Sequence, residues 1–324
     1  MKHNLYTEID PDVMRQFFRH KSRNQNDKLT TVKEAVARYL KDGDYLAVGG
    51  FGTNRIPTAL LHEVVRQGKK NLALSGHTAT HDFQILAAGK CINRCDAAYI
   101  VGLEARGLSP NARKQCQDGD IELVEWTNYT LALRYRAAAM GISYIPARVM
   151  LGTDTYNEGA CKTVTCPYTA KKLLAVPPLY PDVAFIHVHR ADKYGNSQID
   201  GIIVSDTDIA RAAKHVIISC EEIIEEDVIR KDPSRTAIPW FYVDALVHVP
   251  YGSYPGNMPY CYFSDEEHLK EWLAVETDED KFRKFLEDNI YGISDFSDYL
   301  KKRGGVKRLK ELEDIEHLQV KTYE

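Results

Sequence analysis

Residues 42–57 read Asp-Gly-Asp-Tyr-Leu-Ala-Val-Gly-Gly-Phe-Gly-Thr-Asn-Arg-Ile-Pro. An apolar run ends in Gly49, Gly50 and Phe51, and a helical pattern opens at Pro57. Glycines at the carboxyl end of a parallel strand let ligand atoms reach backbone N–H groups, and the following helix offers its positive N-terminus to negative charge. The plainer account of the same residues is a tight turn with close helix packing. A dinucleotide fingerprint fails on spacing, because the third glycine of G-x-G-x-x-G is missing and Pro57 takes the helix start. Arg55 in the first turn could pair bidentately with a substrate carboxylate. Its alternative is a surface arginine, although the macrodipole disfavours a cation at that end of a helix.

Further polar residues sit where loops follow strands. Leu74-Ser75-Gly76-His77-Thr78-Ala79-Thr80-His81-Asp82 closes a second strand, and such loops carry ligands in α/β sheets. His77 and His81 are a weak metal pair, since zinc needs three or four ligands and no third is spaced nearby. His187 and His189 share one face of a strand without completing a ligand set, and are read as core or interface histidines. Cys91 with Cys95, and Cys161 with Cys166, lack C-x-x-C spacing and read as buried thiols. Glu125 closes a strand before a helix. A partly desolvated carboxylate there could act as a general base; otherwise it is a helix-start acid meeting backbone amides.

The elements that must position these residues alternate along the chain. Thr31-Val32-Lys33-Glu34 has the spacing of a capping box before a helix through Leu40. Strands are expected at 45–48, 71–75, 97–101, 121–125, 172–176, 183–188, 216–220 and 242–249, with helices at 58–65, 131–140 and 207–214 among them. This alternation predicts an α/β fold, a mainly parallel sheet covered on both faces by helices. Three regions follow: a polar, loosely attached N-terminal arm (1–29), the α/β domain (30–263), and a C-terminal helical extension (264–324). The net charge of −4 over 324 residues gives no footprint for nucleic acid. No apolar run approaches a membrane span, and the first residues lack a signal-peptide core, so a cytoplasmic location is expected. Seven cysteines, an odd number in a long chain, fit reduced thiols.

The stretch Asp42-Gly43, then Gly49-Gly50-Phe51 and Pro57, resembles the α-subunit signature of the family I CoA-transferases, with Arg55 where the common signature has glycine. That arginine is similar to the glutaconate CoA-transferase branch. The likeness to the α-type chain of that branch continues in order through Ala137–Ile142, Asp192-Lys193-Tyr194-Gly195-Asn196, Cys220–Ile224, Ile229–Pro233, and Val243-Asp244-Ala245 to Pro250-Tyr251-Gly252. The resemblance implies a fold akin to ribose-phosphate isomerases and an active site shared with a β subunit, in an α2β2 or larger assembly. The partner's glutamate, within a Ser-Glu-Asn-Gly-like element, would attack an acyl-CoA thioester and pass through an anhydride to an enzyme-CoA thioester. No such element occurs in this chain; the nearest string is Asn157-Glu158-Gly159. The implied role of this chain is site-building, with Gly49, Gly50 and Phe51 as backbone donors and Arg55 as a clamp for a dicarboxylate. Ser75 and Gly76 would form a turn that contacts the acyl group, while His77 and His81 depart from the small residues of that branch, so that His77 at the substrate could change which acyl group fits. Coenzyme A thioester enters as substrate, and no bound cofactor or metal is expected. Decarboxylation of a methylglutaconyl-CoA-type substrate, or ring-opening hydrolysis of an acyl-CoA, are the alternatives on the same fold. A non-enzymatic subunit or sugar-phosphate binder rests on fold kinship alone.

Overall fold

The computed structural model describes residues 4–100, 102–103 and 106–319. Eight strands run parallel: β1 (Leu29–Thr30), β2 (Tyr45–Val48), β3 (Leu72–Gly76), β4 (Ile92–Ala97), β5 (Glu122–Glu125), β6 (Val183–Ala191), β7 (His215–Ile223) and β8 (Ala245–His248). Their order across the sheet is β1-β8-β7-β6-β2-β3-β4-β5. Two short antiparallel strands, Ser197–Gln198 and Thr236–Ile238, bring the sheet to ten. From β2 the chain winds outward to β5, and from β6 it winds the other way to β8. The order therefore reverses between β2 and β6, and the carboxyl ends of that pair frame the crevice where open α/β sheets hold ligands.

Helices cover both faces, as the alternation predicts: α1 (Pro11–His20), α2 (Val32–Tyr39), α3 (Thr58–Arg66), α4 (His81–Ala88), α5 (Pro110–Asp118), α6 (Asn128–Met140) and α7 (Asp206–Ala212). The capping box forms at α2: the Thr31 hydroxyl accepts from Glu34 N at 3.2 Å, and the Glu34 carboxylate accepts from Thr31 N at 3.3 Å. Strand β2 shows the two-residue period of a pleated strand. Leu46 and Val48 point into the core under α3 and α4, while Tyr45 and Ala47 point into the core under α6 and α7. A three-stranded antiparallel sheet, Ile145–Ala147 with Lys172–Val176 and Lys162–Thr165, lies beside α6.

Three sequence expectations change. The strand expected at 97–101 is β4, five residues earlier; Val101 lies outside the described residues. Polar Asn93, Arg94 and Asp96 disguised it. Asp96 is fully buried because it accepts from Tyr45 Oη at 2.7 Å and Trp126 Nε1 at 2.6 Å, and pairs with Arg134 at 2.9 Å. The strand expected at 242–249 shrinks to β8, since Trp240–Tyr242 forms a 3₁₀ turn after Pro239. The arm, expected to be loosely attached, contains α1, whose Met14 is 2% exposed, and β1, which pairs with β8. Lys21 fixes it by an ion pair to Asp244 at 2.7 Å and a hydrogen bond to Tyr242 O at 2.9 Å. Among the described residues no helix is long and apolar enough to cross a membrane.

The first C-terminal helices join the same core, and the last two pack in a neighbouring cluster with Ala59 of α3, Tyr254 and Tyr262. Trp272, Phe285 and Ile290 pack in one cluster with Leu61 and Val64 of α3, and the rings of Trp272 and Phe285 meet edge-on at 5.1 Å. Phe285→Ala should therefore cost about 3–5 kcal/mol in urea unfolding, in a single transition. A separate early transition for the C-terminal helices would show that they are an independent appendage.

Candidate functional site

The glycine loop enters the crevice between β2 and β6. Gly49 N donates to Phe185 O on β6 at 2.8 Å, continuing the ladder one residue past β2. Gly50 has φ +82°, and a Cβ there would lie 2.3 Å from Asn54 O, so the turn admits only glycine. Its N–H donates to the Asp206 carboxylate at 2.9 Å. Phe51 and Asn54 exchange backbone hydrogen bonds at 3.0 Å each. The expectation that Gly49, Gly50 and Phe51 present free donors is thereby corrected: a strand neighbour, a buried carboxylate and the turn itself take all three.

Arg55 is also turned inward. It has φ +56° and is 1% exposed, and its guanidinium grips Asp206 with two bonds of 3.0 and 2.8 Å. The same group donates to Ile202 O at 2.8 Å. Its reading as a substrate clamp is corrected on charge and geometry, because the bidentate fork is occupied by Asp206 at the start of α7. The positive φ explains why glycine is the common residue at this point of the signature. An L-residue is strained there by roughly 1 kcal/mol, and the ion pair holds it in place. Burial pushes the Asp206 carboxyl up, but the Arg55 charge and the hydrogen bonds from Arg55 and Gly50 outweigh it, and the net direction is down.

The second loop brings Ser75, Gly76 and His77 to the same edge. Ser75 is buried and its Oγ accepts from Tyr135 Oη. Gly76 O accepts from Ala98 N and Tyr99 N at 3.1 Å each, and a Cβ on Gly76 would strike the Ile100 side chain at 2.4 Å. The His77 ring meets Phe51 edge-on at 5.6 Å and is 8% exposed. Burial pushes its pKa down to about 4, so the imidazole is neutral at physiological pH. His81 turns away to Thr58 Oγ1 at 3.2 Å, and burial lowers its pKa to about 3.

A third segment, which sequence reasoning missed, completes the edge. Asn257 Nδ2 donates to Asn54 Oδ1 at 2.7 Å, and Asn257 also exchanges backbone hydrogen bonds with Arg55 and Thr53 at 2.9 Å. Gly256 packs its Cα over Thr53, where a Cβ would be 2.4 Å from Thr53 O. Half-buried Phe51, Asn54 and Asn257 thus face outward together. On the loops that adjoin Arg55 and Asn257, Ile202 is 69% exposed and Tyr260 65%.

Glu125 stands apart at the end of β5, the outermost strand, and is exposed. A general base needs partial desolvation, so that reading is corrected. His187 is a core histidine: Nδ1 meets buried Ser219 Oγ at 2.8 Å and Nε2 meets the part-buried Glu221 Oε1 at 2.7 Å. Glu221 further accepts from Tyr262 Oη and Tyr251 N at 2.6 Å each. His189 donates to Pro259 O at 2.8 Å. All seven cysteines are free thiols, and among the described residues no group of His, Cys, Asp and Glu is arranged to hold a metal ion. Asp192 closes its turn onto Tyr194 N and Asn196 N at 3.0 Å each.

Two outcomes are expected. Arg55→Ala or Asp206→Ala strands a buried charge and should cost about 3–5 kcal/mol in denaturant unfolding, whereas the double variant Arg55→Met, Asp206→Leu should lose much less. Equal losses in single and double variants would refute the pairing. His77 is protonated more readily in the unfolded chain, near pH 6.5, than in the folded one, so its contribution is present above about pH 6.5 and is lost as pH falls toward 4. Compared with His77→Gln, the native chain should lose stability faster over that window, by at most about 1.4 kcal/mol per pH unit. Parallel pH profiles would contradict the buried neutral imidazole.

The family model for coenzyme A transferase matches residues 29–249. The A subunit of glutaconate CoA-transferase from Acidaminococcus fermentans is 31% identical over 297 residues, 86% of this chain and 93% of its own. The crystal structure of that enzyme superposes with a TM-score of 0.84, covering 88% of this chain and 95% of that one. The A subunit of 3-oxoadipate CoA-transferase from Pseudomonas knackmussii is 32% identical, over 84% of this chain and 96% of its own. A crystal structure of the decarboxylase AibA/AibB, in a variant form, matches at 31% identity with a TM-score of 0.72, over 80% of this chain and 97% of that one. With the glycine loop at the switch point and likeness along nearly the whole fold, this chain belongs to the coenzyme A transferase family.

Proposed function

We propose that this chain is the α-type subunit of a heteromeric enzyme that moves CoA between small carboxylates, with dicarboxylates such as glutaconate as its substrates. The observation that carries the reading is the closed glycine loop. Its N–H groups are taken internally and the two terminal nitrogens of its arginine are held by Asp206 and Ile202 O, so the loop supplies shape. A nucleophile must then come from elsewhere, and a glutamate on a β subunit docked at this edge supplies it. Ile202 and Tyr260 support such docking, because exposed apolar groups of this size are costly to leave in water.

In the proposed reaction the partner's glutamate attacks the acyl-CoA carbonyl, and the thiolate leaves. A mixed anhydride forms, the thiolate returns to the glutamyl carbonyl, and the first acid departs. The second carboxylate reverses these steps and leaves with the CoA. This chain contributes the floor beneath the acyl group: Phe51 and the neutral His77 ring on one side, Asn54 and Asn257 on the other. The closed loop excludes water from that side, which favours transfer over hydrolysis. With Arg55 occupied, the preference for a dicarboxylate is supported by the likeness to the A subunits of glutaconate and 3-oxoadipate CoA-transferase. The second carboxylate is then held by the partner or by neutral amides here.

A second reading keeps the fold and the partner but changes the chemistry to decarboxylation or hydrolysis of an acyl-CoA. The likeness to the decarboxylase AibA/AibB favours it. Co-purification with the β-type partner separates the readings. Transfer predicts CoA exchange only when a free acceptor carboxylate is added, together with a CoA adduct on the partner. Release of carbon dioxide, or of free acid and CoA without acceptor, would replace transfer with the second reading. Full exchange by this chain alone would overturn the two-subunit proposal.

A further inference from the structure

The arm does more than close the sheet edge. Between α1, the C-terminal ends of α6 and α7, and the 3₁₀ turn Trp240–Tyr242 lies an open recess of about 340 Å³. Its floor is apolar and aromatic, with Met14, Phe18, Tyr180 and Phe241 among its walls. Its rim carries four cations, Arg15, Lys21, Arg23 and Arg211, and among the described residues no carboxylate lines it. Two of the cations are compensated from outside, Arg15 by Asp12 and Lys21 by Asp244. Arg23 and Arg211 have no ion-pair or hydrogen-bond partner among the described residues, so the recess holds two uncompensated guanidinium groups beside an aromatic floor.

We infer that this recess binds a nucleoside monophosphate, with the base against the aromatic walls and the phosphate on Arg23 and Arg211. Two guanidinium groups match a phosphate dianion in charge and in hydrogen-bond geometry. Aromatic edges and a flat base make favourable contacts without demanding a particular base. The volume lies at the small end of the range for small-molecule sites, which suits one nucleotide. The recess is also separate from the glycine loop. Helix α7 starts at Asp206, beside Gly50, and carries Arg211 in its last turn, while α6, of 13 residues, spans about 20 Å and reaches the recess only at its far end. The competing account is that Arg211 merely offsets the negative end of α7. Met14, Phe18 and Tyr180 also pack α1 against α6 and α7, but that account leaves Arg23 and the exposed ring of Phe241 without a role.

Isothermal titration of the whole chain with AMP, adenosine and inorganic phosphate tests the site. AMP should bind saturably at one per chain and more tightly than either fragment. Arg23→Ala and Arg211→Ala should each raise its Kd about tenfold or more. Phe241→Ala should weaken AMP while sparing phosphate. Coenzyme A, titrated in parallel, identifies the source of the nucleotide: losses shared by CoA and AMP assign the recess to the nucleotide end of CoA, and losses confined to AMP assign it to a free nucleotide. No saturable AMP binding, or an unchanged Kd when both arginines are replaced, would overturn the assignment and leave the arginines to the helix ends.

Discussion

The Arg55–Asp206 pair, 1% and 0% exposed at the point where the strand order reverses, is the constraint on which the rest of the candidate site depends. A buried ion pair gives little net stability, because desolvating both charges offsets most of their attraction. Its effect is on arrangement. One carboxylate fixes Gly50 and Arg55, and the same guanidinium reaches Ile202 O, so the glycine loop, the 200–205 loop and the start of α7 move as one body. Exposed Ile202 is thus tied through its carbonyl to the glycine turn, the proposed floor of the site.

Electrostatic neutrality runs through the edge. Asp206 cancels Arg55, burial keeps the His77 and His81 imidazoles uncharged, and Asn54 and Asn257 spend part of their hydrogen-bonding capacity on each other. Such a surface recognises shape and hydrogen-bonding pattern, and leaves charge recognition to whatever faces it. This division suits a site completed by two chains, where each would otherwise have to keep a charge desolvated while alone.

The parallel sheet, the capping box at α2 and the helices after the glycine loop were legible in the sequence because each has a local cause: a two-residue or 3.6-residue period, a cap, a glycine at positive φ. The errors also share a cause. Strand β4 hid behind polar residues, of which Asp96 owes its burial to Tyr45, Trp126 and Arg134, none of them near in sequence. Helix α4 lacked an amphipathic pattern because it is buried nearly all round. Arg55 was legible as unusual at its position, yet its partner lies 151 residues away, and no spacing rule reaches that far. In sequence Asp206 is only an acid at the start of a helix, which it also is in the fold.

The pairing of β1 with β8 fixes an order of events during synthesis. Leu29 lies opposite Leu246 and Thr30 opposite Val247, so the strand that leaves the ribosome before the other seven has none to join until more than two hundred residues have followed it. Contacts of such sequence separation form late, because their loop must close before they give anything back. The arm, with its exposed Val13 and Phe17, therefore waits unpaired while the strands between it and β8 assemble. The edge of the finished sheet is sealed by its earliest-made strand, and only at the end.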